Sequence, residues 1–330
     1  MEDVIIIGAG PCGLSAALEL QNQGLNPLII EKHCVAHSIY LYPTYMQFFS
    51  TPELLEIGGI PFNTPNEKPY RIEALHYYRN AALRREVRVQ SYHTVDRISQ
   101  TGEGHFELEV TDRFGRSSLT RARFVVVATG YFDHPNLLGI PGEQLSKVTH
   151  YYREAHPYTG TKVVIIGGSN SAIDAAMDLL RAGAEVTVVY RGEDYSPSIK
   201  PWVRPLFESM VNKGRIQMLF RSQVTRIDET TVTVLEDGVE KQLDNDFVLA
   251  LTGFRPDRGL LTGAGAELDE EQAPIHDELT METTVQGLYI AGVAASGSNA
   301  NEVFIETGRL HGGRIAGHIA SRLNLIGKQG

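Results

Sequence analysis

Cysteine is scarce in this chain: two residues in 330, Cys12 and Cys34. Two cysteines are too few for a disulfide scaffold, and their spacing matches neither C-x-x-C redox pairs nor zinc motifs. Any thiol chemistry therefore has to proceed without a vicinal partner. A basic block is also missing. The net charge of -10 is spread along the chain, which argues against a surface that tracks nucleic-acid phosphates and against a polybasic membrane anchor. Long apolar runs are absent as well: stretches such as Phe124–Ala128 are strand-sized, far short of the roughly 18 residues of a membrane span. Met1-Glu2-Asp3 leads straight into an apolar strand, without the positive start and longer apolar region of a secretory signal. A cytoplasmic protein acting on small molecules is the expectation.

With 330 residues and 42% apolar content, at roughly 150 residues per domain, the chain has material for two domains. The first shows itself in VIIIGAGPCGLSAALELQNQGLNPLIIEK. Val4–Ile7 reads as a buried parallel strand, and Gly8-Ala9-Gly10-Pro11-Cys12-Gly13 matches G-x-G-x-x-G before an alanine-rich helix that ends near Gly24. Leu28–Ile30 reads as the next strand and finishes at Glu31, about 20 residues after the turn, where an acid binds the ribose hydroxyls of an adenine nucleotide. Gly8 allows a tight turn, Gly10 a close approach to pyrophosphate and Gly13 helix-on-strand packing, while the helix N-terminus favours phosphate charge.

A second, variant copy reads KVVIIGGSNSAIDAAMDLLRAGAEVTVVYR. Val163–Ile166 is the strand, Gly167-Gly168-Ser169-Asn170-Ser171-Ala172 the turn, and Ile173, Ala176, Met177 and Leu180 share one helical face. Ser169 and Ala172 stand where the second and third glycines are expected. The following strand ends at Tyr190-Arg191 rather than at an acid. An acid there repels a 2'-phosphate, whereas a guanidinium pairs with it, so NADPH is expected over NADH. The alternative, an Arg191 that is only an exposed strand end, stays open, since Glu193 and Asp194 follow.

FVVVATGY (124–131) and DFVLALTGFRP (246–256) are buried-looking strands ending in Thr-Gly and read as domain crossovers. Pro/Asn-rich segments at Ile60–Pro69 and Asp133–Gly142 read as loops, the latter a candidate hinge. GLYIAGVAASGS (287–298) is a strand entering a glycine-serine turn. After it, Val303, Ile305, Leu310 and Ile315 have helical spacing, with Gly308, Gly312 and Gly313 as weak points. No tandem repeat beyond the two nucleotide units and no low-complexity tail is visible.

Two dinucleotide units, Thr-Gly joints and a terminal G-x-Y-x-A-G strand together resemble the two-dinucleotide-binding flavoproteins of thioredoxin reductase size, over nearly the whole chain. Within that group, GAGPCG, YPTYMQFFSTPELLEIGGIPF and FIETGRLHGG most resemble the family of bacillithiol disulfide reductases. The resemblance implies an α/β fold of two Rossmann-like dinucleotide-binding domains, with the FAD domain discontinuous: residues 1–157 its first part, 158–250 the NADPH domain, and 251–330 its second part. It also implies an NADPH-dependent, FAD-containing enzyme of thiol redox balance, active on a small disulfide and forming a homo-oligomer. FAD would lie on Gly8, Gly10, Pro11, Cys12, Gly13, Glu31, Lys32, Thr44, Gln47, Val95, Thr129, Gly130, Gly292, Val303, Phe304 and Ile305. NADPH would lie on Gly167, Gly168, Ser169, Asn170, Ser171, Ala172, Arg191 and Gly253.

The family's proposed redox cysteine matches Cys12. A cysteine at a helix N-terminus has its pKa lowered from about 8.5 by unpaired N–H groups and the helix dipole; the competing reading is a small residue tolerated at a helix start. Cys34 reads as an inert thiol. Two departures limit the transfer. KVTHYYREAHPYTGTK, before the second turn, has no C-x-x-C, and Val293 stands where the group has a ribityl-binding aspartate. Ser296–Asn301 or backbone are the replacements expected for that aspartate. Tyr40, Tyr42 and Tyr45 read as packing residues, with flanking a flavin as the alternative. His33, His37, His134, His150 and His156 lack a metal-ligand spacing, so no metal site is expected. Rival readings are a ferredoxin–NADP reductase, a flavin monooxygenase and a non-catalytic nucleotide-binding redox sensor. Of the monooxygenase F-x-G-x-x-x-H segment only His150 survives, with Gln144 and Ser146 in the other places.

Overall fold

The computed structural model describes residues 1–102, 104–297 and 303–327, with side chains through residue 324. Contacts divide the chain into two compact units: Met1–Tyr40, Met46–His134 and Phe254–Gly330 make the first, Leu41–Tyr45 and Pro135–Gly253 the second. The crossings fall inside the expected hinge loop and at the Thr-Gly of the second joint, not at 157/158 and 250/251. The reason is strand pairing: Val148–Thr149, expected in the first unit, pairs with Val248–Leu249 of the second unit's sheet.

Along the first unit run β1 (Glu2–Ile7), α1 (Pro11–Asn22), β2 (Leu28–Glu31), α2 (His37–Leu41), α3 (Pro52–Leu55), α4 (Arg71–Arg84), β3 (Arg88–Ser91), β4 (His93–Gln100), β5 (Phe106–Asp112) and β6 (Ser117–Val127). The second unit supplies β7 (Val148–Thr149), β8 (Lys162–Ile166), α5 (Asn170–Arg181), β9 (Glu185–Val189), α6 (Arg204–Asn212), β10 (Ile216–Leu219), β11 (Ser222–Ile227), β12 (Thr231–Glu236), β13 (Val239–Asp244) and β14 (Phe247–Ala250). Back in the first unit come α7 (Gly259–Gly263), β15 (Leu288–Ile290), α8 (Ile305–Gly308) and α9 (His311–Gly327).

The first sheet has the order β3-β2-β1-β6-β5-β4, with β15 also pairing β6. Its β3, β2, β1, β6 and β15 pairings are parallel, and β4-β5-β6 is an antiparallel extension. Val4 to Ile7 are all buried, as expected of a parallel strand covered on both faces. Leu14, Leu18 and Leu20 of α1 are fully buried, each contributing about 2 kcal/mol. Helix α9 lies directly on α1: a Cβ at Gly312 would stand 2.8 Å from Ala16 N. Gly312 is thus a site of close helix approach rather than a weak point, because no side chain fits between the two backbones. The expected single C-terminal helix breaks into α8 and α9, and Leu310 between them is exposed.

The second unit has a five-stranded sheet, β10-β9-β8-β14-β7, and a three-stranded antiparallel sheet, β11-β12-β13. Strand alternation splits its core. Val163, Ile165, Val186, Val188 and Leu249 face the cluster that holds α5 and Phe207 of α6, while Val164, Ile166, Val189 and Val248 face the cluster built with Val224, Val232 and Val234. On α5 the buried positions are Ala172, Ile173, Ala175, Ala176 and Leu179. Met177 and Leu180, expected on the same face as Ile173, are only partly buried at its margin. Among the described residues no helix is long and apolar enough to cross a membrane.

Candidate functional site

The first glycine turn has the geometry its sequence demands. Gly8 sits at φ +107°, and a Cβ there would stand 2.5 Å from the Ala128 carbonyl oxygen. At Gly13 a Cβ would come within 2.0 Å of Gly8 O, so the start of α1 can press on the turn only without a side chain. A Cβ at Gly10 meets nothing within 4 Å. That open flank, at an α1 N-terminus capped by no side chain, fits a pyrophosphate bound by backbone N–H groups.

Glu31 closes the turn. Ala9 N–H donates to its Oε2 and His33 N–H to its Oε1, both at 2.7 Å. Burial pushes the carboxyl pKa up, and these two N–H bonds act in the opposite direction. Each oxygen keeps a second lone pair for a ribose hydroxyl. Beside it, Lys32 Nζ pairs with Asp133 Oδ2 at 3.0 Å.

Cys12, the second residue of α1, points into a backbone notch. A Cβ on Gly292 would stand 2.7 Å from its Sγ, and one on Gly308 2.9 Å away. The expected lowering of its pKa at the helix start is not what the structure shows: burial pushes the thiol up to about 12, and the Glu306 carboxylate acts in the same direction. Dehydration of the thiolate outweighs the helix end. Ser50 Oγ donates to Glu306 Oε1 in a short hydrogen bond. His311, at the start of α9, accepts from Gly292 N–H through Nδ1 at 3.2 Å. Burial, with Arg314 and His276 adding their charges, holds its imidazole down to about 4.

Of the other residues expected around FAD, Thr129 and Val303 come to the same place: a Cβ on Gly8 would stand 3.4 Å from Thr129 N, and one on Gly308 3.2 Å from Val303 Cγ1. Val95 is buried on β4. Thr129 and Gly130 are half-buried just after β6, Gly130 at φ +73°. Gln47 Nε2 donates to the Lys68 carbonyl. Thr44 lies in the 41–45 segment of the second unit, its N–H donating to Arg153 O. Val303 and Phe304 precede α8, Ile305 is its first residue, and Phe304 is exposed. Tyr40 is partly exposed but packs as expected, stacked on His37 at 5.8 Å between ring centroids and covered by the Arg71 guanidinium, while Tyr45 is exposed. Near Val293, Ser296 Oγ donates to the Val293 carbonyl, while Arg258 donates to Ala294 O and Ser296 O. The 298–301 part of the Ser296–Asn301 segment lies outside the described residues.

In the second turn, Gly167 is at φ +138°, with the Leu251 carbonyl oxygen 2.5 Å from any Cβ. Gly168 is obligatory for another reason: its Cβ would enter the Tyr190 ring at 2.4 Å. Ala172, at the third-glycine position, is buried with its methyl in the α5 core cluster. Ser169 is the N-cap and Ser171 is exposed in the first turn, while the Asn170 amide donates to Ser198 O and accepts from Lys200 N–H. Arg191 is exposed. Gly253 sits at φ +86°, and its carbonyl accepts from Asn136 N–H.

Sequence reasoning missed Glu306, His311 and Arg258, whose roles depend on contacts from remote segments. It also missed a grouping of His33 and His37 with Asp133. The sequence signal available there was H-C-x-x-H, without the distant acid.

Two mononucleotide turns at the carboxyl ends of parallel strands, on two units with the first interrupted by the second, define a flavin- and pyridine-nucleotide-dependent oxidoreductase. The chain belongs to the pyridine nucleotide-disulphide oxidoreductase family, whose profile matches residues 5–292. That membership makes FAD and NADPH its cofactors. The chain is 50% identical over 327 residues, 98% of its length and 99% of the relative's, to the bacilliredoxin reductase Bdr of Bacillus subtilis (strain 168). It superimposes on the structure titled bacillithiol disulfide reductase Bdr (YpdA) from Bacillus cereus with TM-score 0.95 and 51% identity, covering 97% of this chain and 99% of that one. The corresponding Staphylococcus aureus structure gives TM-score 0.92 and 45% identity, over 97% and 98%.

Proposed function

We propose that the chain oxidises NADPH to reduce bacillithiol disulfide to two thiols, one proton being taken up with the hydride. The observation that carries this reading is near-full-length likeness to proteins titled as reductases of that disulfide. FAD, when bound, supplies the two-electron relay from nicotinamide to disulfide. Gly8, Gly10 and Gly13 admit its pyrophosphate and Glu31 its ribose, while Arg191 takes the 2'-phosphate of NADPH. Cys12 is the thiol that meets the disulfide in this reading. At rest its high pKa keeps it protonated, so its proton leaves only as substrate binds. We place the enzyme in the cytoplasm, as a homo-oligomer.

A second reading has the oxidised protein bacilliredoxin as acceptor, after the name of the Bacillus subtilis relative. Anaerobic NADPH oxidation separates the two, measured with bacillithiol, glutathione and coenzyme A disulfides and with oxidised bacilliredoxin. Turnover with bacillithiol disulfide alone supports the first reading; turnover only with the protein acceptor replaces it. Cys12→Ala should still be reduced by NADPH at its flavin and fail in the disulfide half-reaction. Full disulfide turnover in that variant removes Cys12 from the chemistry.

A further inference from the structure

The end of β2 and the segment after β6 bring together side chains that the disulfide reaction does not use. Donor atoms of His33, His37 and Asp133 all lie within 4.8 Å of one another. The two imidazole rings are 4.1 Å apart at their centroids. Cys34 Sγ lies 3.5 Å from His37 Nδ1. All four side chains are half-buried, open enough for an ion to enter and enclosed enough to limit its hydration.

The donor types point to one class of ligand. Calcium and magnesium take oxygen donors, whereas two imidazoles, a thiol and a carboxylate are the mixed set of zinc-class ions. Zinc bond lengths place a thiolate sulfur and an imidazole nitrogen about 3.6 Å apart across a tetrahedral ion, and two imidazole nitrogens about 3.3 Å apart. The Cys34–His37 distance already has that value. The His33, His37 and Asp133 donors, within 4.8 Å of one another, stand at most about 1.5 Å wider than bound ligands would. Lys32 pairs with Asp133 through Oδ2 at 3.0 Å, and a carboxylate has a second oxygen to offer a cation.

We propose that His33, Cys34, His37 and Asp133 form a binding site for one divalent cation of the zinc class. Strands β2 and β6 flank β1 on either side, so the ion would tie together the chain following the two neighbours of the first fingerprint strand. His33 N–H also holds Glu31 Oε1, so occupancy stiffens the residue that closes the glycine turn. The site stands independently of the disulfide assignment.

The test uses FAD-loaded protein cleared of metal by a chelator. Zinc is titrated calorimetrically, and cobalt by difference absorbance. One ion per chain is expected, together with a thiolate-to-cobalt charge-transfer band. His37→Ala and Asp133→Asn should each weaken binding at least about tenfold, and Cys34→Ser should abolish the band, while flavin content and metal-free melting temperature stay near wild type. Absence of saturable binding, undiminished binding in His37→Ala and Asp133→Asn, or a band that survives Cys34→Ser overturns the proposal.

Discussion

The Cys12 thiol fills the space where Gly308 would carry a side chain: a Cβ there would stand 2.9 Å from Sγ and 2.8 Å from Gly292 Cα. Three segments far apart in the chain thus meet around one sulfur. Gly308→Ala is expected to destabilise the FAD-loaded protein by about 1–3 kcal/mol. Cys12→Ala should relieve part of that loss, giving a coupling of at least about 0.5 kcal/mol in a double-mutant cycle of urea melts. Strict additivity would show that the sulfur and the glycine do not share the notch.

The same enclosure sets the reactivity of the thiol. With its pKa pushed up to about 12, the thiolate fraction of Cys12 rises tenfold per pH unit across the whole neutral range. In a Cys34→Ser background, iodoacetamide should therefore label Cys12 about a hundredfold faster at pH 9 than at pH 7. A labelling rate that begins to level off by about pH 9 would show an ordinary thiol, whose pKa is about 8.5.

Glu31 accepts one backbone N–H on each oxygen. Glu31→Gln keeps the shape but turns one acceptor into an amide facing an N–H group. A hydrogen bond to a charged group is worth about 1.5–3 kcal/mol, so FAD affinity should fall about ten- to a hundredfold, read from flavin retained on gel filtration. Unchanged affinity would mean that the carboxylate serves neither the turn nor the ribose.

Arg191 tests cofactor choice. Its replacement by alanine should raise KM for NADPH about tenfold through loss of a charge-assisted phosphate pair, with KM for NADH nearly unmoved. A parallel rise for both nucleotides would return Arg191 to the status of an exposed strand end.

His311 makes stability depend on pH in a defined direction. Its folded pKa is down at about 4, against 6.5 as the ordinary value. Between those values the unfolded chain binds a proton that the folded one refuses. The stabilisation is therefore complete above about pH 6.5, is lost as pH falls toward 4, and amounts to about 3 kcal/mol. Urea melts from pH 7.5 to 4.5 should show this slope in the wild type and a flatter one in His311→Gln.

Much of the site is legible in the sequence, because its signals are local. The glycines at 8, 13 and 167 answer to contacts within a turn or with an adjacent strand, and Glu31 is placed by strand length alone. The continuous apolar runs of β8 and β14 read directly as a sheet covered on both faces. The crossing points were less legible: β7 has too few residues to carry a pattern, and only its pairing with β14 assigns it to the second unit.

By itself, then, the sequence determined two glycine turns, their flanking strands and helices, and the acid that accepts from the first of them, since turn chemistry and periodicity act over a few residues. Tertiary structure alone decided that Cys12 is enclosed by Gly292 and Gly308, that Gly312 lets α9 lie on α1, that His311 stays neutral and that Asp133 joins His33 and His37. Desolvation and close approach depend on which distant segments are packed together, and no local spacing encodes that.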